Sequence, residues 1–209
     1  HTGSCNYSVA SSFSFHAIKH IAVGEGGCVT TNDIEFYSKI KKYRSHGMIK
    51  ESNNIWEYNM SELGWNYRLD EISCALGITQ ISKLKEGIKY RRQLVQYYKE
   101  FLKEYDFIKL PEEPIDKNSH SWHLFSILVN FKEIKIGRVE VMKKLATYGI
   151  GSQVHYKPLF LQPYYSNAKK LVNALDYYNK TLSLPLYYGL KKENIKFICN
   201  KLVNILGLK

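Results

Sequence analysis

Lys19 is the side chain whose surroundings point most directly to chemistry. It follows a run of small, hydroxylated and aromatic residues in strand-like alternation, Val9, Ser11, Phe13 and Phe15 against Ser12 and Ser14. It precedes Gly24-Glu25-Gly26-Gly27 and a second β-prone run, Cys28-Val29-Thr30-Thr31. The pattern predicts strand, loop, glycine turn and strand, with the lysine carried inward on the loop. An amine is a nucleophile once desolvated and condenses with a carbonyl as a Schiff base. Ser14, five residues upstream, offers a hydroxyl to a phosphate, so the two together suit a cofactor bearing both a carbonyl and a phosphate. By pattern alone a solvated turn lysine stands as the alternative.

Other candidate centres are weaker. His120 and His123 have metal-like spacing, but no third ligand is placed by spacing, so no metal site is expected. The glycine turn lacks the G-x-x-x-x-G-K-[ST] order of a triphosphate-binding loop; its glycines serve backbone conformations with positive φ. Cys5, Cys28, Cys74 and Cys199 are scattered without C-x-x-C spacing, which indicates reduced thiols and neither a disulfide framework nor a zinc knuckle.

The elements that must position these residues follow from periodicity. Asn32 or Asp33 can cap a helix over 34–44, with Ile34, Tyr37, Ile40 and Tyr43 recurring every third residue. Residues 46–63 form a polar, turn-rich loop that nevertheless carries Ile49, Ile55, Trp56, Tyr58 and Met60, as a subunit contact or a lid would. Helical spacing resumes with Ile72, Ala75 and Leu76, and a longer helix runs from Ile81 to Tyr105. Gly87 interrupts it at a cost of about 1 kcal/mol relative to alanine and is a reasonable place for a bend between domains. Beyond a linker at 111–120 the pattern predicts a strand over 122–129, a helix over 138–147, a strand over 152–155, a tyrosine-rich helix over 164–180 and a closing helix over 193–206. This mixed order describes an α+β domain.

Composition sets the outer limits. The chain has 209 residues, 44% of them hydrophobic, and a formal charge of +11. It is long enough for one substantial core or two modest ones. No apolar run reaches the roughly 18 to 20 residues of a membrane span, and no signal layout opens the chain, so a cytoplasmic location is expected. The positive charge invites a nucleic-acid reading. However, the lysines between Lys83 and Glu104 alternate with glutamates, as on a solvated helix face.

The segment SFSFHAIKHIAVGEGGCVTTND at 12–33 resembles the cofactor-lysine segment of the DegT/DnrJ/EryC1/StrS sugar aminotransferases. The likeness continues in order through RSHGM at 44–48, WEYNM at 56–60, LGWNYRL at 63–69, ALG at 75–77, HSWHL at 120–124, GIGSQVHYKP at 149–158 and SLP at 183–185. It implies an α/β chain of the PLP-dependent transferase fold type I. Residues 1–85 would be the end of the large cofactor-binding domain, and residues 86–209 the small α+β carboxy-terminal domain.

The resemblance implies that Lys19 bonds to pyridoxal 5'-phosphate (PLP) and moves the substrate Cα proton. It implies that Ser14 reaches the cofactor phosphate and that Asn66 reaches the phosphate of the neighbouring subunit in a homodimer with shared sites. His16 either helps hold a substrate carboxylate or sugar, or is a structural hydrogen-bonding group. His155 and Tyr156 match the substrate-side residues of the small domain, with a buried strand histidine as the alternative for His155.

Within the family, FSFHAIKHI, RSHGM, LGWNYRL and GIGSQVHYKPL are similar to the pseudaminic-acid branch, which transfers an amino group from L-glutamate to C4 of a UDP-linked 4-keto-6-deoxy sugar. Asp70-Glu71 and Ser73-Cys74 depart from the usual residues and put the pairing geometry in doubt. The amino-terminal elements of the family have no counterpart here, so the chain is expected to be a carboxy-terminal portion that does not turn over alone. A non-catalytic remnant or binding module is the first alternative, and a basic nucleic-acid binder the second.

Overall fold

Ser12 and Ser14 alternate with Phe13, and that period of two makes β1, Ala10–Ser14, which pairs antiparallel with β2, Gly27–Thr31. Opposite Ser14 stands Gly27, where a Cβ would lie 2.5 Å from the Phe13 carbonyl oxygen. Only glycine permits that approach. Asp33 then caps α1, Ile34–Tyr43, its Oδ1 accepting the Glu35 and Phe36 N–H groups at 2.9 and 3.0 Å. Of the two N-caps that the sequence offered, Asn32 and Asp33, it is the second. The polar segment that follows contains a minimal antiparallel pair, β3 (Met48–Ile49) with β4 (Asn59–Met60).

The structure, a computed structural model, describes residues 1–50, 53–116 and 118–208. The polar loop at Glu51 and Ser52 and the linker at Lys117 lie outside the described residues. The chain divides into two units, His1–Leu84 and Lys85–Lys209. One helix, α2, runs without interruption over Glu71–Leu102, where two helices were expected. Gly87 costs helix propensity, but a run of good helix formers on both sides carries the hydrogen bonds across it.

The carboxy-terminal unit has the core. Its sheet is antiparallel in the order β5 (Ile108–Lys109), β6 (Phe125–Val129), β7 (Thr181–Leu184). Around it are the end of α2, then α3 (Arg138–Thr147), α4 (Val172–Lys180) and α5 (Lys192–Leu206). Tyr98 stacks on Phe125 at 4.6 Å among Leu94, Leu102, Ile127, Val141, Leu145, Leu182, Ile195 and Leu202. The Tyr98 hydroxyl donates to the Pro185 carbonyl at 2.8 Å, so this large ring is buried without stranding its polar end.

Two expectations change here. The helix over 164–180 is shortened to α4, preceded by two single 3₁₀ turns, Leu159–Leu161 and Pro163–Tyr165. Proline opens the second turn, and Ser166 and Asn167 after it favour turns over helix. The strand over 152–155 is reduced to one bridge, Gln153 to Ser183, since Pro158 soon removes a donor from any ladder.

The amino-terminal unit is different in kind. Among its described residues Val23 is the one fully buried hydrophobic side chain, while Ile55, Trp56, Tyr58, Met60, Leu63, Tyr67 and Ile78 are exposed. The same contrast divides α2: Ile72 is 85% exposed and Leu94 1%.

Candidate functional site

The loop that carries Lys19 is closed at its base by backbone hydrogen bonds. Phe15 N–H donates to Gly26 O at 2.8 Å, Val23 N–H donates to Phe15 O at 2.9 Å, and His16 bridges Gly24. Inside this clasp Lys19 N–H donates to His16 O at 2.9 Å, which turns the chain sharply at Ala17 and Ile18. His16 serves the same turn with its ring. Nδ1 accepts the Ile18 N–H at 3.3 Å, and Nε2 faces Glu25 Oε1 at 3.5 Å. The accepting Nδ1 assigns the ring proton to Nε2. The ring thus has a structural hydrogen-bonding role in this turn, and that role does not exclude the substrate-side one.

The base of the loop packs on the start of α2. A Cβ on Gly26 would meet Leu69 Cδ1 at 2.9 Å, and one on Gly77 would meet Val23 Cγ1 at 3.3 Å. Asp70 anchors that start: Oδ1 accepts the Ser73 N–H and Oδ2 the Ser73 hydroxyl, both at 2.8 Å. These two bonds hold the Asp70 carboxyl below its ordinary pKa, the backbone donor contributing most. Asp70 and Ser73, the positions where the sequence departs from the usual residues, thus form a local cap. The signal was legible as Asp-x-x-Ser before an apolar run.

Lys19 is half-buried, and among the described residues its ammonium enters no hydrogen bond or ion pair. Ser14 is exposed at the end of β1. Its Oγ accepts the His16 N–H at 3.3 Å, which leaves the hydroxyl proton available to another acceptor. Asn66 lies on a segment held beside the end of α1 by Trp65 N–H to Tyr43 O at 2.7 Å, His46 N–H to Trp65 O at 2.9 Å and Tyr67 N–H to Arg44 O at 2.9 Å. Trp65 stands edge-on to Tyr43 and stacks on Tyr67. Asn66 itself is exposed.

His155 and Tyr156 belong to the other unit. His155 Nδ1 lies 2.7 Å from Ser183 Oγ, and the Tyr156 ring stands nearly perpendicular to the imidazole at 4.6 Å. His120 Nδ1 accepts the Trp122 N–H at 2.9 Å. Among the described residues no three His, Cys, Asp or Glu side chains gather as a metal centre. Two surface hollows, one lined by Tyr148, Ile150, Tyr187 and Phe197 and the other by residues 31–34 and Tyr37, include none of the predicted site residues.

The sequence profile of the DegT/DnrJ/EryC1/StrS aminotransferase family matches residues 2–203. The chain belongs to that family. It is 39% identical over 198 residues to a UDP-4-amino-4,6-dideoxy-N-acetyl-β-L-altrosamine transaminase of Campylobacter jejuni, covering 93% of this chain and 51% of the relative. The solved Helicobacter pylori PseC, an aminotransferase involved in the biosynthesis of pseudoaminic acid, superposes with a TM-score of 0.88 at 34% identity, over 96% of this chain and 54% of that one. The PLP form of the putative sugar aminotransferase Spr1654 from Streptococcus pneumoniae superposes with a TM-score of 0.84 at 26% identity, over 98% and 53%. The chain spans about half the length of the curated relatives it matches.

DegT/DnrJ/EryC1/StrS aminotransferases use PLP, and the fold type expected from the sequence agrees with these neighbours. The residues present fit the cofactor's reactive end. Among the described residues they supply an amine that enters no hydrogen bond or ion pair and a hydroxyl with a proton to donate.

Proposed function

We propose that this chain supplies the lysine arm and the small domain of a PLP-dependent aminotransferase acting on a nucleotide-linked keto sugar, with L-glutamate as donor. The observation that carries the reading is the Lys19 amine, unpaired among the described residues and held on a clasped turn inside the family's matched region. When bound, PLP supplies the electron sink for amino transfer.

The chain's own residues do the rest. Lys19 holds the cofactor through its Nζ and then shuttles the proton that leaves the donor Cα, the work of a positioned base. The Ser14 hydroxyl donates to a phosphate oxygen while the His16 N–H occupies its lone pair. Asn66, exposed on a braced segment, reaches the phosphate of a neighbouring copy, and His155 with Tyr156 faces the sugar nucleotide. The exposed apolar side chains of residues 55–78 are then covered in a homodimer and by the remaining part of the large domain, without which we expect no turnover.

The names of the relatives support a UDP-linked 4-keto-6-deoxy sugar and a place in cell-surface polysaccharide or nonulosonic-acid synthesis. The cytoplasm suits such a substrate and four free thiols. Among the described residues no helix is long and apolar enough to cross a membrane.

The test is reductive trapping. The chain is incubated with PLP, reduced with borohydride and mapped by peptide mass. Label should concentrate on Lys19, vanish from that peptide in Lys19→Ala, and weaken at limiting PLP in Ser14→Ala. Label spread evenly over surface lysines would overturn the assignment and favour a non-catalytic portion.

A further inference from the structure

The second face of the small-domain sheet carries a row of hydroxyls where apolar side chains would be simpler. All four residues of β7 are buried. Leu182 and Leu184 join the core with Phe125 and Ile127, so alternation turns Thr181 and Ser183 to the opposite side. Ser126 stands directly across from Ser183 in the ladder. A buried hydroxyl without a partner costs about 1–3 kcal/mol, yet Ser183, at 4% exposure, is satisfied twice. Its Oγ lies 2.7 Å from Ser126 Oγ and 2.7 Å from His155 Nδ1. The backbone enforces the second contact: Gln153 N–H donates to Ser183 O at 3.1 Å and Ser183 N–H to Gln153 O at 2.8 Å, which brings His155 back over Ser183. The Tyr156 ring stands edge-on to the imidazole.

We propose that Ser183 is a positioning residue for His155, fixing the plane of the imidazole and tying the place of its ring proton to the direction of the hydroxyl pair, with Ser126 as its support. This rests on the reading of His155 as a substrate-side residue. A hydroxyl both donates and accepts, so the pair works in two directions. With Ser126 donating to Ser183, Ser183 donates to Nδ1 and the ring proton sits on Nε2. With the order reversed, Nδ1–H donates to Ser183 and Ser183 donates to Ser126. The imidazole therefore keeps its place in either neutral tautomer and when protonated, which an apolar neighbour would not allow. A histidine held this way meets a sugar hydroxyl or phosphate oxygen in one orientation, without first losing rotational freedom.

The experiment follows the isotope-labelled imidazole nitrogens of His155 in the full chain, assigned by their loss in His155→Gln. In the wild type the two ring nitrogens should give separate, hydrogen-bonded resonances. Ser183→Ala should draw them together toward the average of a freely exchanging ring, Ser183→Thr should restore the separation, and Ser126→Ala should shift them partway. Wild-type resonances in a folded Ser183→Ala would overturn the proposal. Should that variant not fold, Ser183→Cys, nearly isosteric but a weak donor, decides in the same way: convergence supports the proposal and an unchanged spectrum overturns it. UDP-N-acetylglucosamine, added to the wild type, tests the underlying reading separately. His155 resonances that move on addition support a substrate-side role. Resonances that stay fixed while Ser183→Ala still perturbs them overturn that role and leave the restraint standing.

Discussion

Gly47 and Gly64 meet backbone to backbone. A Cβ on Gly64 would collide with the Gly47 amide nitrogen, and one on Gly47, at φ +68°, would collide with the Glu62 carbonyl. This contact presses the Asn66 segment against the end of α1, where Lys42 Nζ also pairs with Glu62 Oε1 at 2.8 Å. Gly64→Ala should therefore loosen the segment by about 2 kcal/mol or more, in the range of backbone clashes. The measurement is amide exchange at His46, Trp65 and Tyr67, which should accelerate together while the carboxy-terminal unit keeps its protection.

Asp33→Ala removes the acceptor for two N–H groups at the start of α1. Loss of such a cap costs about 1 kcal/mol. Exchange in the first turn of α1 should rise about fivefold, and Asp33→Asn, which keeps an acceptor oxygen, should restore most of the protection. Equal rates in all three proteins would refute the cap.

Alkaline titration should weaken the carboxy-terminal unit through two buried acids. Burial pushes the Cys199 thiol from 9.0 up to about 12 and raises the Tyr98 phenol as well. Both groups hold their protons longer folded than unfolded, so their contribution is complete below pH 9.0 and falls as pH rises toward about 12. Cys199→Ala lowers stability at neutral pH by opening a cavity, yet it should flatten the decline over that window. The urea midpoint at successive pH values, read from Trp122 fluorescence with Trp56 and Trp65 changed to Phe, tests the slope; parallel curves would count against it.

Arg91 ties α2 to two separate segments. Its Nη1 donates to Leu186 O at 2.8 Å, His123 O at 3.2 Å and Trp122 O at 3.3 Å. Arg91→Lys keeps the charge but cannot reproduce the planar fork. The expected loss is about 2 kcal/mol, the scale of hydrogen bonds to a charged group. Arg91→Met should cost more, because it strands three carbonyls, and urea denaturation of the carboxy-terminal unit ranks the two.

The parts legible in the sequence are those whose cause is local. Alternating serines and phenylalanines before a glycine cluster describe the β1 hairpin and its loop, Asp33 announces α1, and Ile195, Ile198, Cys199 and Leu202 mark the buried face of α5. The misreadings came where distant pairing decides. Thr181–Leu184 follows α4 with no turn residue between them and becomes a strand because β6 is there to receive it. Ile34, Tyr37 and Ile72 have the spacing of a buried face, yet they stand in solvent, since periodicity marks an apolar face without supplying a surface to pack on it. Lys19 and Ser14 drew notice by type and spacing, and their roles are those proposed above. Ser183 was not, because its meaning comes from His155, 28 positions away in the chain.

The scarcity of enclosed side chains around Val23, among the described residues, bears on how this polypeptide would fare on a ribosome. A nascent unit that leaves Trp56, Leu63, Tyr67 and Ile78 outside is a natural client for holdase chaperones, and its yield in soluble form should be set by how soon it finds a fitting surface. Fluorescent dyes that brighten in greasy environments would report that search, fading once those side chains are covered.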